Sequence, residues 1–585
     1  MNIFQKIFFQ VISYNLNKLN LNFDVNLDNN YKIYRHFLKA HFLIQLFVKI
    51  SLVLLFLIFS IYFFFIKKNK DNFIIFFDNY KNIFKFLKQE IVFELIFALT
   101  IMHYNDSENL EKIKERDTKL KDYYRYIIIG SGPSASITLN HLQNYTSDIL
   151  VVEKGNDYQE AKLKHPADEF YKKWQNGGLS AAVGNSLIKY AAASCLGGGS
   201  EINSGLYHEP DERFIDNMKE TYKVNDFDYS NIKKFCSEIK NILNVEVAND
   251  LDLISKNIIE ISNKKQIKFE IVPRLAKNFM KDNFIRSTVK KEILNKINKN
   301  IKISHDSEVI KIFKKKNFWN VIVLKGKTKK IIKSEKLFLC AGSLNTTSLL
   351  IKSNLINKKI NPHFHFHPMV KFAVKFKNKV NILDGDISPI QINEHYPDFI
   401  LGNASNSFSQ LMINAQGNAE MQNEIKKNFK NFAIFHLTFS LGSGQIFHSP
   451  FSNDPIVYYH INDDELDKMK SGIKKVLKYF EHKNVDKIFL LFNDKIKYES
   501  ANIQKVMDQI KKPSQLNLGA VHILGGIPFG ENTENTLCNS YGELRGHSNL
   551  YVNDSSLICA HLLKNPQGTV MAIAKRNIEN IMNNS

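Results

Sequence analysis

The 585-residue chain has little cysteine: Cys195, Cys236, Cys340, Cys538 and Cys559, an odd number with no CxxC spacing. That excludes a disulfide framework or a structural zinc site as the organising device, and it fits a reducing compartment. Acidic residues are also scarce, 58 against 79 Lys and Arg, for a formal net charge of +21. Such a surplus ordinarily points to nucleic acid or an anionic surface. Here the lysines are spread along the whole chain, with no zinc-finger spacing, RNP motif or clustered basic helix, so no nucleic-acid partner is expected. No internal repeat of solenoid length is present either.

Charge is missing most completely between Lys49 and Lys67, where ISLVLLFLIFSIYFFFI runs uninterrupted. This run lies far from Met1 and has no small-residue cleavage site, so it is not a signal peptide. With the apolar residues back to His41 it predicts a membrane segment at 41–66, and hence a membrane-associated protein with a cytoplasmic catalytic part. Lys and Arg flank it almost equally, which leaves it unoriented. A weaker stretch, IVFELIFALTIMHY at Ile91–Tyr104, carries Glu94 and reads as an amphipathic or interfacial helix. The alternative is that both are buried helices of a helical extension covering residues 1–120.

After a charged separator comes YRYIIIGSGPSASITLNHLQNYTSDILVVEKG: an apolar β-branched run, a glycine turn, a helical stretch and a second apolar run ending in an acid. That is a βαβ unit. Gly130, Gly132 and Ala135 fit GxGxxA at the opening of the helix. The first glycine allows the tight turn, the second lets the backbone approach a pyrophosphate, and the alanine permits close helix packing over the phosphate-binding N-terminus. Glu153, about twenty residues on, stands where an acid holds both ribose hydroxyls. Downstream, IKISHDSEVIKIF, NFWNVIVLKG and KKIIKSEKLFLCAG read as consecutive strands, with further strands at Met369–Phe376, Ala433–Leu441 and Pro455–Ile461 and a helix over Asp464–Tyr479.

Two later motifs favour a flavin over a nicotinamide. CLGGGSEINSG at Cys195–Gly205 brings a backbone without side chains close to a flat or phosphorylated ligand. NLYVNDSSLICAHLLKNPQGTVMAIAKRNIENI gives a strand, the acid Asp554, a loop and a helix opening at Asn565-Pro566, whose free N–H groups can face an electron-rich acceptor. Together with FLCAGSLNTTSLLIKS, HFHP at His365–Pro368, GQIFHSPFSNDPIVYYHINDDELDKMKSGIKKVL and HILGGIPFG, taken in order from Tyr124 to about Met582, the chain resembles the glucose–methanol–choline (GMC) oxidoreductases, and within them the cholesterol-oxidase-like branch.

The resemblance implies a mixed α/β fold: an FAD-binding Rossmann-like domain from discontinuous segments (121–215, 270–358 and 515–585) and a substrate domain with an antiparallel sheet (216–269 and 359–514). It implies that Gly130, Gly132 and Glu153 hold the ADP half of FAD and that Gly198, Gly199 and Asn203 line the flavin. Val309 would meet adenine through its backbone, Asp554 would lie near the pyrophosphate and ribityl chain, and the helix after Pro566 would face the flavin carbonyl. Some relatives tether the flavin through a histidine where this chain has Ile202, so FAD is expected to be noncovalent.

The histidines divide. His363, His365 and His367 alternate along a strand, which raises a metal site, but alternation alone does not converge ligands, and no metal is expected. In the family the HxxGG histidine stands over the flavin and pairs with a residue at the start of the C-terminal helix; here these are His522 and Asn565. The resemblance thus implies oxidation of an alcohol, with His522 taking the hydroxyl proton, Asn565 orienting the oxygen and hydride passing to flavin N5. The substrate class is sterol-like, amphiphilic or sugar-containing. The membrane segment favours a quinone or protein over oxygen as electron acceptor. Ile527, Pro528 and Phe529, and CAHLLK after Asp554, depart from the family and are expected to border the substrate pocket. The rival reading is a flavin-binding, membrane-associated protein without alcohol-oxidising activity.

Overall fold

A computed structural model describes residues 5, 8–9, 11–12, 27–52, 54, 89–105, 109–113, 119–160, 167–248, 250–277, 285–356, 364–381, 387–448, 452–493 and 502–584. The βαβ unit folds as read: strand Tyr123–Ile129, helix Pro133–Leu142, strand Ile149–Val152. Both strands are apolar on successive positions because helices and sheet bury both faces; Ile127, Ile128, Leu150 and Val151 are fully enclosed. They form the middle of a seven-stranded sheet ordered Glu308–Lys315, Phe318–Lys325, Thr328–Leu339, Tyr123–Ile129, Ile149–Val152, Lys302–Ser304, with Leu550–Val552 also on Thr328–Leu339. The inner pairings are parallel and the Glu308–Lys325 hairpin is antiparallel. The C-terminal helix Gln567–Asn583 lies against Pro133–Leu142.

An eleven-stranded sheet faces this unit. Its central run is Ile188–Tyr190, Gly519–Ala520, Met369–Phe376, Phe432–Phe439, Phe399–Asn403, Ile390–Ile392 and Phe269–Ile271. Residues 180–190 and 519–520, on the cofactor side of the boundaries drawn from sequence, supply three of its strands. Helix Asp463–Leu477 covers this sheet's core with Leu466, Met469, Ile473, Val476 and Leu477, and Asn462 and Glu465 close a capping box at its start.

The extension docks on this body, and the membrane expectation for 41–66 finds no support. Residue 53 and residues 55–66 lie outside the described residues; residues 42–52 are helical, and Val48 and Leu52 pack with Phe37, Val92, Ile96 and Leu99. Leu46, Ile50 and Leu54 are exposed on the other side of that helix. His41 donates its backbone N–H to Leu179 and its ring contacts the Pro455 carbonyl at 3.1 Å. His36 bridges His103 at 2.9 Å and the Gly177 carbonyl at 2.7 Å. The second stretch forms helix Gln89–Asn105, and it is not interfacial: Val92, Ile96 and Leu99 enter one core while Phe97 and Ile101 enter another with Leu411 and Met412. Among the described residues no helix is long and apolar enough to cross a membrane.

Candidate active site

A cavity of about 1850 Å³ separates the two sheets. Gly130, Gly132, Glu153, Gly198, Gly199, Asn203, Val309, Asp554, Asn565, Pro566 and His522 all line it; Ala135 is instead buried in the packing beneath the turn. One wall is backbone. Gly198 has φ +55°, and a Cβ there would lie 2.6 Å from the Gly132 Cα, so the two glycine segments touch in a way no side chain permits. Nothing lies within 4 Å of a Cβ built at Gly199 or Gly342, which leaves backbone open to the void. Helices Pro133–Leu142 and Gln567–Asn583 both begin without a side-chain cap, so their first N–H groups are available to a ligand. Asn203 donates to the Gln567 side-chain oxygen, and the Gln567 Nε2, buried at this wall, has no hydrogen-bond partner among the described residues. Pyrophosphate on one helix start and a flavin edge on the other fit these donors.

The two acids of this wall act through the backbone they hold. Glu153 accepts from Ser131 Oγ at 2.7 Å and from the Gly155 N–H at 2.7 Å. Asp554 accepts from Gly342 N–H, Thr346 Oγ1, Ser556 N–H and Ser556 Oγ, four bonds that use both carboxylate oxygens. Burial raises both carboxyls above their ordinary range, and these hydrogen bonds oppose the shift. Val309 sits at an irregularity between Val309 and Lys311 in the Glu308–Lys315 strand.

The opposite wall is made of side chains. His522 precedes the two-residue strand Ile523–Leu524, which pairs with His365–Phe366 and so sets His367 beside it. The two Nδ1 atoms are 2.9 Å apart. His522 Nε2 lies 3.4 Å from Asn565 Nδ2, and Gln391 Nε2 donates to Asn565 Oδ1 at 3.1 Å. The His522 ring is half-buried and lines the void; burial, reinforced by His436 and His208, pushes its pKa down to about 3. His367 is driven well down by burial and by His522.

His367 and Gln391 escape the sequence reading. HFHFHP did place His365 and His367 on one face, but the partner of His367, His522, lies 155 residues away. Gln391 belongs to a cross-strand row, Lys371–His436–Gly402–Gln391–Glu270, one residue from each of five neighbouring strands. Residues directly opposite in a sheet project to one face. A Cβ at Gly402 would meet His436 Cε1 at 2.9 Å, so the glycine is what lets the imidazole lie over the row. Among the described residues no group of three or more His, Cys, Asp or Glu could hold a metal.

Ile527, Pro528 and Phe529 do not line the cavity. Gly525 and Gly526, at φ +74° and +117°, turn the chain away after Leu524; Ile527 and Phe529 are fully buried, and Phe529 meets Phe227 edge-on with centroids 6.1 Å apart. Cys559 of CAHLLK is likewise core, not pocket.

The chain matches the N-terminal GMC oxidoreductase domain over residues 170–369 and the C-terminal one over 448–574. The protein belongs to the GMC oxidoreductases and is an FAD-dependent enzyme. It is 22% identical over 481 residues to an uncharacterised GMC-type oxidoreductase of Sinorhizobium fredii, covering 78% of this chain and 94% of that one. It is 22% identical over 520 residues to long-chain-alcohol oxidase FAO4A of Arabidopsis thaliana, covering 80% and 70%. Similar solved structures include pyridoxine 4-oxidase from Mesorbium loti, with TM-score 0.62, 13% identity and 79% and 99% coverage. Formate oxidase gives TM-score 0.62, 11% identity and 80% and 99% coverage.

Proposed function

We propose that the protein oxidises an alcohol, with His522 as the base and Asn565 as the group that orients the hydroxyl. The observation that carries this reading is the hydrogen-bonded chain from Gln391 through Asn565 and His522 to His367, opening onto the cavity opposite the glycine cradle. Bound FAD would supply the two-electron acceptor for the carbinol hydride.

The rest follows from the side chains. Gln391 donates to Asn565 Oδ1, which turns the Asn565 N–H toward His522 and leaves Nε2 of the imidazole as the acceptor. Between His522 and His367 only one Nδ1 can carry the shared hydrogen; with Nε2 a lone pair, His522 donates and His367 accepts. The Nε2 lone pair of the base faces Asn565 and is freed for a hydroxyl proton when an alcohol oxygen takes the Asn565 N–H in its place, and its depressed pKa keeps it neutral throughout the physiological range. An alcohol oxygen that accepts from Asn565 Nδ2 has its own proton within reach of His522 Nε2. The residue at 202 is isoleucine, with no nucleophilic atom for a flavin bond, so FAD is held without a covalent link.

The case for a quinone or protein acceptor rested on the membrane segment, most of which lies outside the described residues; anaerobic reduction followed by reoxidation with oxygen and with a quinone, side by side, identifies the acceptor. The decisive experiment is flavin bleaching by a panel of alcohols under anaerobic conditions. His522→Ala should keep its FAD and lose about 10²–10⁴-fold in the rate of flavin reduction. An unchanged rate removes His522 from the chemistry, and no bleaching by any alcohol favours a flavin-binding protein without this activity.

A further inference from the structure

Behind the proposed base stand three more histidines, His367, His365 and His561, and none of them lines the cavity. Phe364 and Phe366 enter the core of the large sheet, so His365 and His367, which alternate with them, take the opposite side. From His522 the series runs outward. His522 and His367 share a hydrogen bond at 2.9 Å, the rings of His367 and His365 have centroids 6.2 Å apart, and those of His365 and His561 lie 6.1 Å apart. His367 is fully enclosed and His365 is 7% exposed. His561 is exposed; Ser440 Oγ lies 3.0 Å from its Nδ1, and Arg213 and Glu465 act on it with opposite signs. One end of the series thus touches the cavity and the other touches water. The last member belongs to CAHLLK, the segment that departs from the family.

We propose that His367, His365 and His561 form an exit for the hydroxyl proton, carrying it from His522 to the surface while the substrate still fills the cavity. This rests on the alcohol-oxidising reading above. Nε2 of His522 faces Asn565 and the alcohol, so the proton it gains has no way out on that side until the product moves off. Nδ1 meets His367 instead. The alcohol O–H bond breaks as an N–H bond forms at His522 Nε2; the hydrogen on His522 Nδ1 passes to His367 Nδ1; His367 releases the one on its Nε2 toward His365, and His365 hands one on to His561, which gives it to water. The two outer gaps are longer than a hydrogen bond, and one bridging water closes each. Burial, then His522 and His365, hold His367 well below the ordinary histidine pKa, and His522 itself stands at about 3, so neither ring retains the proton at neutral pH. The backbone of Leu562, next to His561, acts on His367 in the opposite sense and eases its passage through the charged form. Each imidazole on the route ends as its other tautomer, and a proton returning the same way restores the resting arrangement.

The test mixes the FAD-loaded full chain, without oxygen, with the alcohol that bleaches its flavin fastest, in weak buffer with phenol red, and follows bleaching and proton release in the same stopped-flow trace. The expected result is a proton that appears together with bleaching, ahead of product release. In His365→Phe the flavin still bleaches and the proton lags behind it about tenfold or more. His561→Ala, at the surface, should show a smaller lag that imidazole added to the buffer closes, a response that a merely structural histidine would not give. If His365→Phe fails to fold, His365→Asn takes its place with the same lag expected. Proton release that trails bleaching in the unaltered protein, release that keeps pace with it in either variant, or a lag in His561→Ala that imidazole leaves unchanged overturns the proposal. Bleaching with a late proton sinks the exit route and leaves the alcohol reading standing; no bleaching by any alcohol sinks both.

Discussion

The two walls of the cavity are built on different principles. On the cofactor wall the functional atoms are backbone N–H groups, and the side chains matter by being absent, as at Gly132, Gly198 and Gly199, or by gripping the main chain, as Asp554 does. On the opposite wall the polar atoms belong to side chains: His522, Gln391, His436 and Lys371, set beside one another by strands that lie far apart in sequence, and Asn565 just before the C-terminal helix. A backbone site needs a short run of permissive residues in one place. A side-chain site needs only one residue from each of several strands, so it can change one residue at a time.

The comparison can be broken at its strongest point first. Gly198→Ala puts a methyl 2.6 Å from the Gly132 Cα at φ +55°, and both effects act on the backbone. The expected outcome is a folded protein that has lost most of its flavin, read as the ratio of flavin to protein absorbance after gel filtration; full occupancy would show that the cradle tolerates a side chain and that the first wall is not built on backbone. On the second wall, Gln391→Leu should leave FAD in place and lower kcat about tenfold, about 1.4 kcal/mol of barrier. With its amide no longer anchored, Asn565 can turn its oxygen to His522 and stabilise the imidazolium, so the acid limb of the pH profile should also move to higher pH. A loss of kcat without that movement would make Gln391 a packing residue only.

The smallest effect is a difference in pH response between the walls. His522 and His436 have folded pKa values of about 3 and about 4, both held down first by burial, below the ordinary 6.5. Between those values and 6.5 the unfolded chain binds more protons, so each histidine removes stability as pH falls, by about 1.4 kcal/mol per unit. Glu153 and Asp554 have the opposite sign: burial raises their pKa, and the stability they contribute is present below their ordinary values and lost as pH rises through the folded ones. Acidification from pH 7 to 5 should therefore loosen strands Phe432–Phe439 and Met369–Phe376 before Tyr123–Ile129. Hydrogen exchange corrected for intrinsic rates measures this, and uniform loosening would mean that the walls do not differ in this respect.

The same contrast governs what could be read from the sequence. The βαβ unit was legible because its demands are local: a β-branched run, glycines at a fixed offset, a small residue, an acid at the end of the next strand. His522 and Asn565 were legible because each opens a short motif. The cross-strand row was not, since alternation shows which face a residue takes but not which residue of another strand lies opposite. Ile527, Pro528 and Phe529 misled by nearness: five to seven residues from the base in sequence, they are carried into the core by two glycines that reverse the chain. Most of the long apolar run, residue 53 and residues 55–66, lies outside the described residues; of the described part, the helices at 42–52 and 89–105 have Val48, Leu52, Val92 and Leu99 packed inside the protein, since hydrophobicity reports burial without saying in what.

Those helices carry a consequence of their own. Phe47 and Val48 from one, and Glu94, Leu95 and Phe97 from the other, form part of the cavity's lining, outside the ranges that match the family. The described part of the extension is therefore a wall of the chamber. What enters the chamber from this side has to pass residues that carry none of the motifs read from the sequence.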